Sequence, residues 1–237
     1  MFDISKLQVI YEDNHLIAVN KPSGVLVQAD ETGDAPISDW VKAYIKKRYG
    51  KPGDVYLGTI HRIDRPVSGA VIFARTSKAL ERMNKLFADQ KINKTYWAVS
   101  RSRPDPISDT VEHYLLKDKD KNITKAYDML SNRINGAKLS SLDYDLIVDL
   151  EGLYMIEVRP HTGRSHQIRS QMSKIGCPII GDVKYGGKEP NKDASIHLHC
   201  KSMEFMHPVK NEMVKIEALP NENDRIWKRM MDTLNED

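Results

Sequence analysis

The chain has 237 residues, of which 40% are hydrophobic and 29% are charged, with a net charge of +3 at neutral pH. This composition is typical of a globular protein, and no segment reaches the roughly 18 to 20 apolar residues that a membrane helix requires. The first residues lack the pattern of a signal peptide, and two cysteines allow at most one disulfide. We therefore expect a cytoplasmic protein with reduced thiols and no membrane association.

The N-terminal part of the sequence predicts short strands and two helices. In chain order these are strands at 8–11 and 15–20, a turn at 21–24, a helix from Ile37 to Gly50, a buried strand at 70–74 and a helix at 77–88. Thr76 is the expected N-cap of the second helix. The Lys-Pro-Ser-Gly segment at 21–24 is sufficiently explained as a turn, with substrate contact as the lesser alternative.

The remainder of the chain is rich in predicted strands. They lie at about 93–100, 125–130, 142–150, 153–158, 195–205 and 212–219, and a closing helix follows at about 223–235. Glu151 and Gly152 are expected to join two of these strands as a hairpin. The pattern predicts an α+β fold with a mixed, mainly antiparallel central sheet flanked by helices and loops, in a single domain over 1–237.

One aspartate lies between two arginines in the segment His61-Arg62-Ile63-Asp64-Arg65. Nearby positive charge favours the ionised form of a carboxylate, and an ionised aspartate can act as a nucleophile or a base. The arginines could bind a polyanionic substrate such as a nucleic acid. A loop of surface salt bridges without chemistry explains this segment equally well when it is taken alone.

A tyrosine that could bind a nucleobase lies on a predicted strand. Strand alternation puts Lys94, Tyr96 and Ala98 on one face and Thr95 and Trp97 on the other. Tyr96 could stack on a base, although a half-buried sheet residue is the simpler interpretation of a lone strand tyrosine.

A second basic segment, at 159–169, precedes or begins a helix. Thr162 is the expected cap of this helix and Gly176 its expected end, with His166 and Arg169 on one face. A helix start with basic side chains can hold a phosphate. Pairing of Arg169 with a carboxylate for structural reasons is nearly as well supported.

Two histidines, His197 and His199, alternate on a predicted strand and are followed by Cys200. Cys200 would point to the opposite face, and no second pair of ligands completes a site. We therefore do not predict a metal site here.

Together these segments resemble the RluA family of RNA pseudouridine synthases. The family motif His-Arg-Leu-Asp-x-x-Thr-Ser-Gly matches residues 61–69 with Ile63 for Leu, Lys-x-Tyr matches 94–96, and Gly-Arg-x-His-Gln-Ile-Arg is intact at 163–169. Further matches lie at 11–24, 176–185, 198–200 and 207–208. The resemblance covers about residues 8–219 and implies the pseudouridine synthase catalytic fold, without room for an S4-type RNA-binding domain.

The resemblance also implies roles for the residues named above. Asp64 would be the catalytic carboxylate, Arg169 its ion-pair partner, and Tyr96 the group that stacks on uracil and helps to remove the C5 proton. Arg62 would occupy the space that the extruded nucleotide leaves in the RNA stack. The other RNA-binding residues would be His61, Arg65, Lys94, Arg164 and His166.

The implied reaction cleaves the bond between C1′ and N1 of a uridine, rotates the uracil and rejoins it through C5. It needs no cofactor or metal, and the partner would be a tRNA or rRNA stem-loop bound by a monomer. Attack by the aspartate on the sugar carbon and removal of a sugar proton both remain open.

The chain departs from the family at Val67, where Thr is usual, and at Gln28 and Gln171, where His is expected. The Arg65-Pro66 pair resembles the branch that modifies the tRNA acceptor-stem region.

Two alternative functions are compatible with parts of this pattern. One is an RNA-binding or assembly protein that keeps the fold without turnover. The other is a hydrolase that breaks a glycosidic bond with paired carboxylates, although the motifs supply one carboxylate at the expected centre.

Overall fold

The computed structural model describes residues 6–131, 134–150 and 152–236. These residues divide into two compact units. The first contains the described part of Met1–Ile92 together with Cys200–Pro220, and the second contains the described parts of Asn93–His199 and Asn221–Asp237. The single catalytic domain expected from the sequence stays a prediction. None of the helices in the described ranges is long and apolar enough to cross a membrane.

The secondary structure confirms the predicted α+β class, with helices interspersed among many strands. The strands are β1 (Gln8–Glu12), β2 (Leu16–Lys21), β3 (Gly58–Thr59), β4 (Ser68–Ala74), β5 (Ile92–Ser100), β6 (Ser108–Asp118), β7 (Ile123–Tyr127), β8 (Lys138–Leu150), β9 (Leu153–Pro160), β10 (Leu198–Met206) and β11 (Met213–Glu217). The helices are α1 (Ile37–Tyr49), α2 (Ser77–Ala88), α3 (Gln167–Lys174) and α4 (Arg225–Glu236).

The sheet of the first unit runs in the order β1-β2-β4-β10-β11, with β3 paired to the end of β4. Residues 16–19 of β2 and 70–74 of β4 are fully buried, so neither face of these strand segments reaches solvent. Such strands appear in the sequence as continuous apolar runs. The predicted helices are confirmed: α1 ends at Gly50 in the left-handed conformation, and the Thr76 hydroxyl caps α2 by accepting from the backbone N–H of Ala79.

The second unit contains antiparallel strands in the order β5-β9-β8-β6-β7. Gly152, with φ of 79°, lies in the predicted turn between β8 and β9, whereas Glu151 lies outside the described residues. The predicted closing helix is confirmed as α4, whose Trp227 and Met230 pack in one apolar cluster with Trp97 and Met155. Burial of these side chains holds α4 in place.

Three expectations for the second unit were inaccurate. Strand β6 was not predicted, and β7 ends at Tyr127 rather than reaching residue 130. The helix expected to begin near Thr162 begins at Gln167, after His166 in the left-handed conformation. The Thr162 hydroxyl does not cap it, because this group accepts from Ser141 N–H and donates to the Gln167 side chain.

A carboxylate that is only 12% exposed joins the two hairpins of the first unit. Asp13, between β1 and β2, accepts backbone N–H groups of His15 and Leu16 at 2.7 and 2.8 Å. It also lies 2.9 Å from the His207 ring and 3.0 Å from the Lys210 ammonium, which follow β10. Burial opposes its ionisation, but these backbone donors and Lys210 together hold the pKa of Asp13 well below its usual range.

We predict that Asp13→Asn lowers the free energy of unfolding at pH 7 by about 2 kcal/mol, because it removes charge-assisted hydrogen bonds. A carboxylate whose pKa is depressed on folding stabilises the protein above its unfolded pKa of about 3.9, and this contribution disappears as the pH falls. The difference between variant and wild type should therefore shrink below about pH 4. Urea unfolding at several pH values would measure it.

Asp39→Asn is the matched control, since this carboxylate is 58% exposed and lies 4.0 Å from Lys42. It should cost about 0.5 kcal/mol. Equal losses for the two variants would contradict the proposed importance of Asp13.

Candidate active site

Asp64 lies in a loop, here called the catalytic loop (residues 61–67), that leads into the buried strand β4. Ile63 and Val67 anchor this loop in the core, with 8% and 2% exposure, and the Val67 N–H donates to the Asp64 carbonyl at 3.0 Å. Asp64 is half-buried and Arg62 is exposed. Inward-facing apolar residues on either side therefore present a carboxylate and an arginine toward the surface.

The fully buried Lys21 binds the backbone of the catalytic loop. Its ammonium donates to the carbonyls of Pro22, Val25 and Arg65 at 2.9, 2.8 and 3.3 Å. Burial lowers the pKa of Lys21 to about 7, although the charge of Asp64 acts in the opposite direction. The lysine thus connects the turn after β2 to the segment that carries Asp64.

Arg65 makes contacts within the first unit. Its Nε donates to the Gly24 carbonyl at 2.9 Å, and its Nη2 lies 2.7 Å from the Asp34 carboxylate. The Gly24 N–H in turn donates to the Arg65 carbonyl at 2.8 Å. Lys21 and Arg65 therefore connect the same two loops, and RNA binding by Arg65 stays a prediction.

His61, at the start of the catalytic loop, also contacts protein groups. Its Nε2 accepts the backbone N–H of Ile72 in β4 at 3.0 Å, and its ring stacks on Phe87 of α2 at 5.1 Å between centroids. RNA binding by His61 stays a prediction as well.

The second unit holds Arg169 in a buried ion pair with Asp182. The Arg169 Nε and Nη2 donate to the two carboxylate oxygens at 2.7 and 2.8 Å, which is a bidentate arrangement. The guanidinium also lies over the ring of Tyr185, 4.9 Å from its centroid. Both partners fix the orientation of Arg169 on α3, where only 7% of its side chain is exposed.

Tyr185 also connects Arg169 to the predicted RNA-binding residue His166. Its hydroxyl accepts the backbone N–H of Thr124 at 2.7 Å and lies 2.7 Å from Nδ1 of His166. Burial raises the pKa of Tyr185, so the phenol is neutral at physiological pH. The network therefore joins β7, α3 and the turn around Tyr185.

Lys94, Tyr96 and Arg164 are accessible to different degrees. Lys94 and Tyr96 are half-buried on β5, and Trp97, the next residue, is buried in the apolar cluster with α4. The predicted alternation of faces stays a prediction, because Lys94, Thr95 and Tyr96 are buried to a similar degree. Arg164 is exposed, and its backbone N–H donates to the Gln167 side chain at 3.0 Å.

The predicted site residues therefore form two groups, one in each unit. His61, Arg62, Asp64 and Arg65 belong to the first unit; Lys94, Tyr96, Arg164, His166 and Arg169 belong to the second. The ion pair expected between Asp64 and Arg169, and the meeting of both groups in one site, stay predictions.

Three polar residues of these networks were not among the predicted site residues. Lys21 belongs to the predicted turn, although a lysine so close to the apolar run of β2 could have suggested a buried cation. Asp182 and Tyr185 belonged only to a motif match. No local pattern indicated that they contact Arg169, because contacts over 13 and 16 residues arise from the return of the chain.

His197 and His199 lie beside α4. His197 Nε2 lies 3.2 Å from Asp224, and both rings contact Trp227. Within the described ranges, no group of three or more His, Cys, Asp and Glu side chains could hold a metal ion.

Comparison with known proteins reveals relatives along nearly the whole chain. The profile of a family described as RNA pseudouridylate synthase matches residues 15–174. A tRNA pseudouridine synthase C from Vibrio vulnificus is 29% identical, covering 95% of this chain and 94% of the relative. A ribosomal large subunit pseudouridine synthase D from Zymomonas mobilis is 30% identical, covering 95% of this chain and 73% of the relative.

A solved structure titled human RNA pseudouridylate synthase domain containing 4 has the same fold. Its TM-score is 0.77 at 21% identity, and the match covers 96% of this chain and 93% of that one.

The lowered pKa of Lys21 has a measurable consequence. Between its folded pKa of about 7 and its unfolded value of about 10.4, the unfolded chain binds more protons, so stability should rise with pH. Relative to Lys21→Met, the free energy of unfolding of the wild type should increase by about 2 kcal/mol from pH 7 to pH 9. Urea unfolding at pH 7, 8 and 9 would measure this. If the free energies of unfolding of wild type and Lys21→Met changed in parallel with pH, the prediction would be wrong. The exposed Lys78→Met controls for the lost charge.

Proposed function

The chain belongs to the RluA family of RNA pseudouridine synthases, and on this premise we propose how its residues isomerise uridine to pseudouridine in RNA. The observation that carries the proposal is the catalytic loop, in which a half-buried Asp64 follows an exposed Arg62 and leads into the buried β4. Asp64 is the catalytic carboxylate. Its negatively charged oxygen acts at the sugar of the target nucleotide while the glycosidic bond is broken.

Arg169 is the proposed partner of Asp64. A guanidinium has five N–H donors, and Asp182 accepts two of those of Arg169. In the proposal, Arg169 directs others to Asp64 and keeps this carboxylate ionised. Asp182 and Tyr185 support the role because they hold the guanidinium in a single orientation.

Tyr96 and Arg62 are proposed to handle the extruded nucleotide. Tyr96 stacks on the uracil and assists the removal of the C5 proton after C1′ has been joined to C5, while N1 gains a proton. Arg62 occupies the gap left in the RNA stack. Extruding a base costs a few kcal/mol, and phosphate contacts by basic residues offset this cost. Lys94, Arg164 and His166 are the candidates for such contacts.

We propose tRNA as the substrate class, acted on by a monomer in the cytoplasm. The relative from Vibrio vulnificus, which matches over nearly its full length, is called a tRNA pseudouridine synthase. Pseudouridine mapping of total RNA from cells with and without this gene would identify the target. Loss of a site in tRNA supports the proposal, whereas loss confined to rRNA would contradict the substrate class and leave the reaction in place.

We predict that Asp64→Asn abolishes isomerisation but binds RNA like the wild type, because the amide keeps the shape and loses the charge. Release of tritium from RNA labelled at uridine C5 measures turnover, and filter binding measures affinity. The exposed Asp54→Asn is the matched control and should remain active.

Normal turnover by Asp64→Asn would refute its role. Wild-type protein that binds RNA without tritium release would favour the binding protein, and release of free uracil would favour the hydrolase.

We further predict that Tyr96→Phe slows tritium release under single-turnover conditions by about 10²-fold, the usual scale for loss of a proton-transfer group. RNA affinity should change little, because the ring that stacks is retained. Tyr56→Phe, at an exposed position, is the control. Parallel losses of rate and affinity would show that the hydroxyl serves binding.

A further inference from the structure

We propose that His61 is a positioning residue that sets the place of Asp64, rather than the RNA contact that the family resemblance implied. The inference rests on the proposed function of Asp64. It is carried by the contacts of the His61 ring at one edge of β4.

Besides β2, the strands β10 and β3 both pair with β4. β10 lies against the start of β4, where a Cβ built on Gly69 would be only 2.3 Å from the Cys200 carbonyl oxygen. β3 covers the other end, with Thr59 opposite Phe73, and ends there. The next residue of β4 toward its start is Ile72, whose N–H donates to His61 rather than to a strand.

The His61 ring therefore supplies the acceptor for a buried backbone N–H of β4. Ile72 is 0% exposed, and a buried N–H without an acceptor costs about 1–3 kcal/mol. Because Nε2 accepts this N–H, it carries no proton and the imidazole is neutral. A neutral ring bound to protein on one side and stacked on Phe87 is poorly suited to grip a phosphate.

The same contacts place the residues that follow. His61 and Ile63 face inward, so Arg62 is exposed and Asp64 comes one residue after a buried anchor. The loop is held again at Val67, whose N–H closes the turn on Asp64. Without the bond to Ile72, the start of the catalytic loop would be free to shift. A displacement of about 1 Å at a catalytic group can cost about 10²-fold in rate.

The test compares two substitutions that separate the acceptor from the ring. His61→Phe keeps an aromatic ring against Phe87 and lacks the acceptor, whereas His61→Gln lacks the ring and keeps an acceptor at a similar reach. His15→Phe removes another half-buried imidazole of the same unit and is the matched control. Tritium release from C5-labelled RNA, at enzyme concentrations far above and near half-saturation, gives the limiting rate and the half-saturating concentration.

We expect His61→Phe to lower the limiting rate at least about tenfold with the half-saturating concentration within about twofold, and His61→Gln to restore most of the rate. Amide hydrogen exchange at Ile72 should be faster in His61→Phe and protected again in His61→Gln. His15→Phe should keep the wild-type rate.

Several outcomes would overturn the inference. A raised half-saturating concentration with an unchanged limiting rate would make His61 an RNA contact. A lowered melting temperature with an unchanged limiting rate would make the role of His61 purely structural. Equal defects in His61→Phe and His61→Gln would show that the hydrogen-bond acceptor is not what matters. Wild-type enzyme without tritium release would refute the proposed function itself, whereas active wild type with an unaffected His61→Phe refutes only the role of His61.

Discussion

The attachment of the catalytic loop to buried backbone is the constraint on which the first half of the site depends. A carboxylate on a loop is useful only if its backbone cannot drift, and loops have few hydrogen bonds of their own. Here side chains supply them: His61 binds the N–H of Ile72, and Lys21 binds the carbonyl of Arg65. The scaffold is rigid because β2 and β4 are buried on both faces. The loop is thus attached to fully buried strand segments of its unit.

In the second unit, side-chain contacts likewise hold the Arg169 guanidinium in place. The Arg169 guanidinium is planar, so a bidentate carboxylate and an aromatic face determine its position and its tilt. Asp182 compensates the charge that burial would otherwise make costly. Tyr185 contacts both Arg169 and His166, through its ring and its hydroxyl respectively. Both halves of the proposed site therefore depend on buried polar groups whose hydrogen bonds are satisfied.

The success of the sequence predictions varied with the range of the interactions involved. Helices α1, α2 and α4 were predicted because apolar spacing and a cap such as Thr76 act within a few residues. Strand β6 was missed because only two of its residues, His113 and Leu115, are buried, so its sequence lacks a clear apolar alternation. Thr162 resembled a cap, but its hydroxyl accepts the N–H of Ser141, which is distant in sequence. Local signals fail where a distant partner competes for the same hydroxyl.

The sequence by itself determined the fold class and the family, because several motifs in a fixed order retain residue types that chemistry requires. It also pointed to Asp64, since the motif at 61–69 contains a carboxylate between two arginines. Only the tertiary structure decided which groups Lys21, His61, Arg65 and Arg169 contact. The physical reason is that a charged or polar side chain binds whichever partner folding brings within about 3 Å. Apart from the carbonyls of Pro22 and Val25 beside Lys21, these partners lie 11 to 44 residues away, beyond the reach of any local pattern.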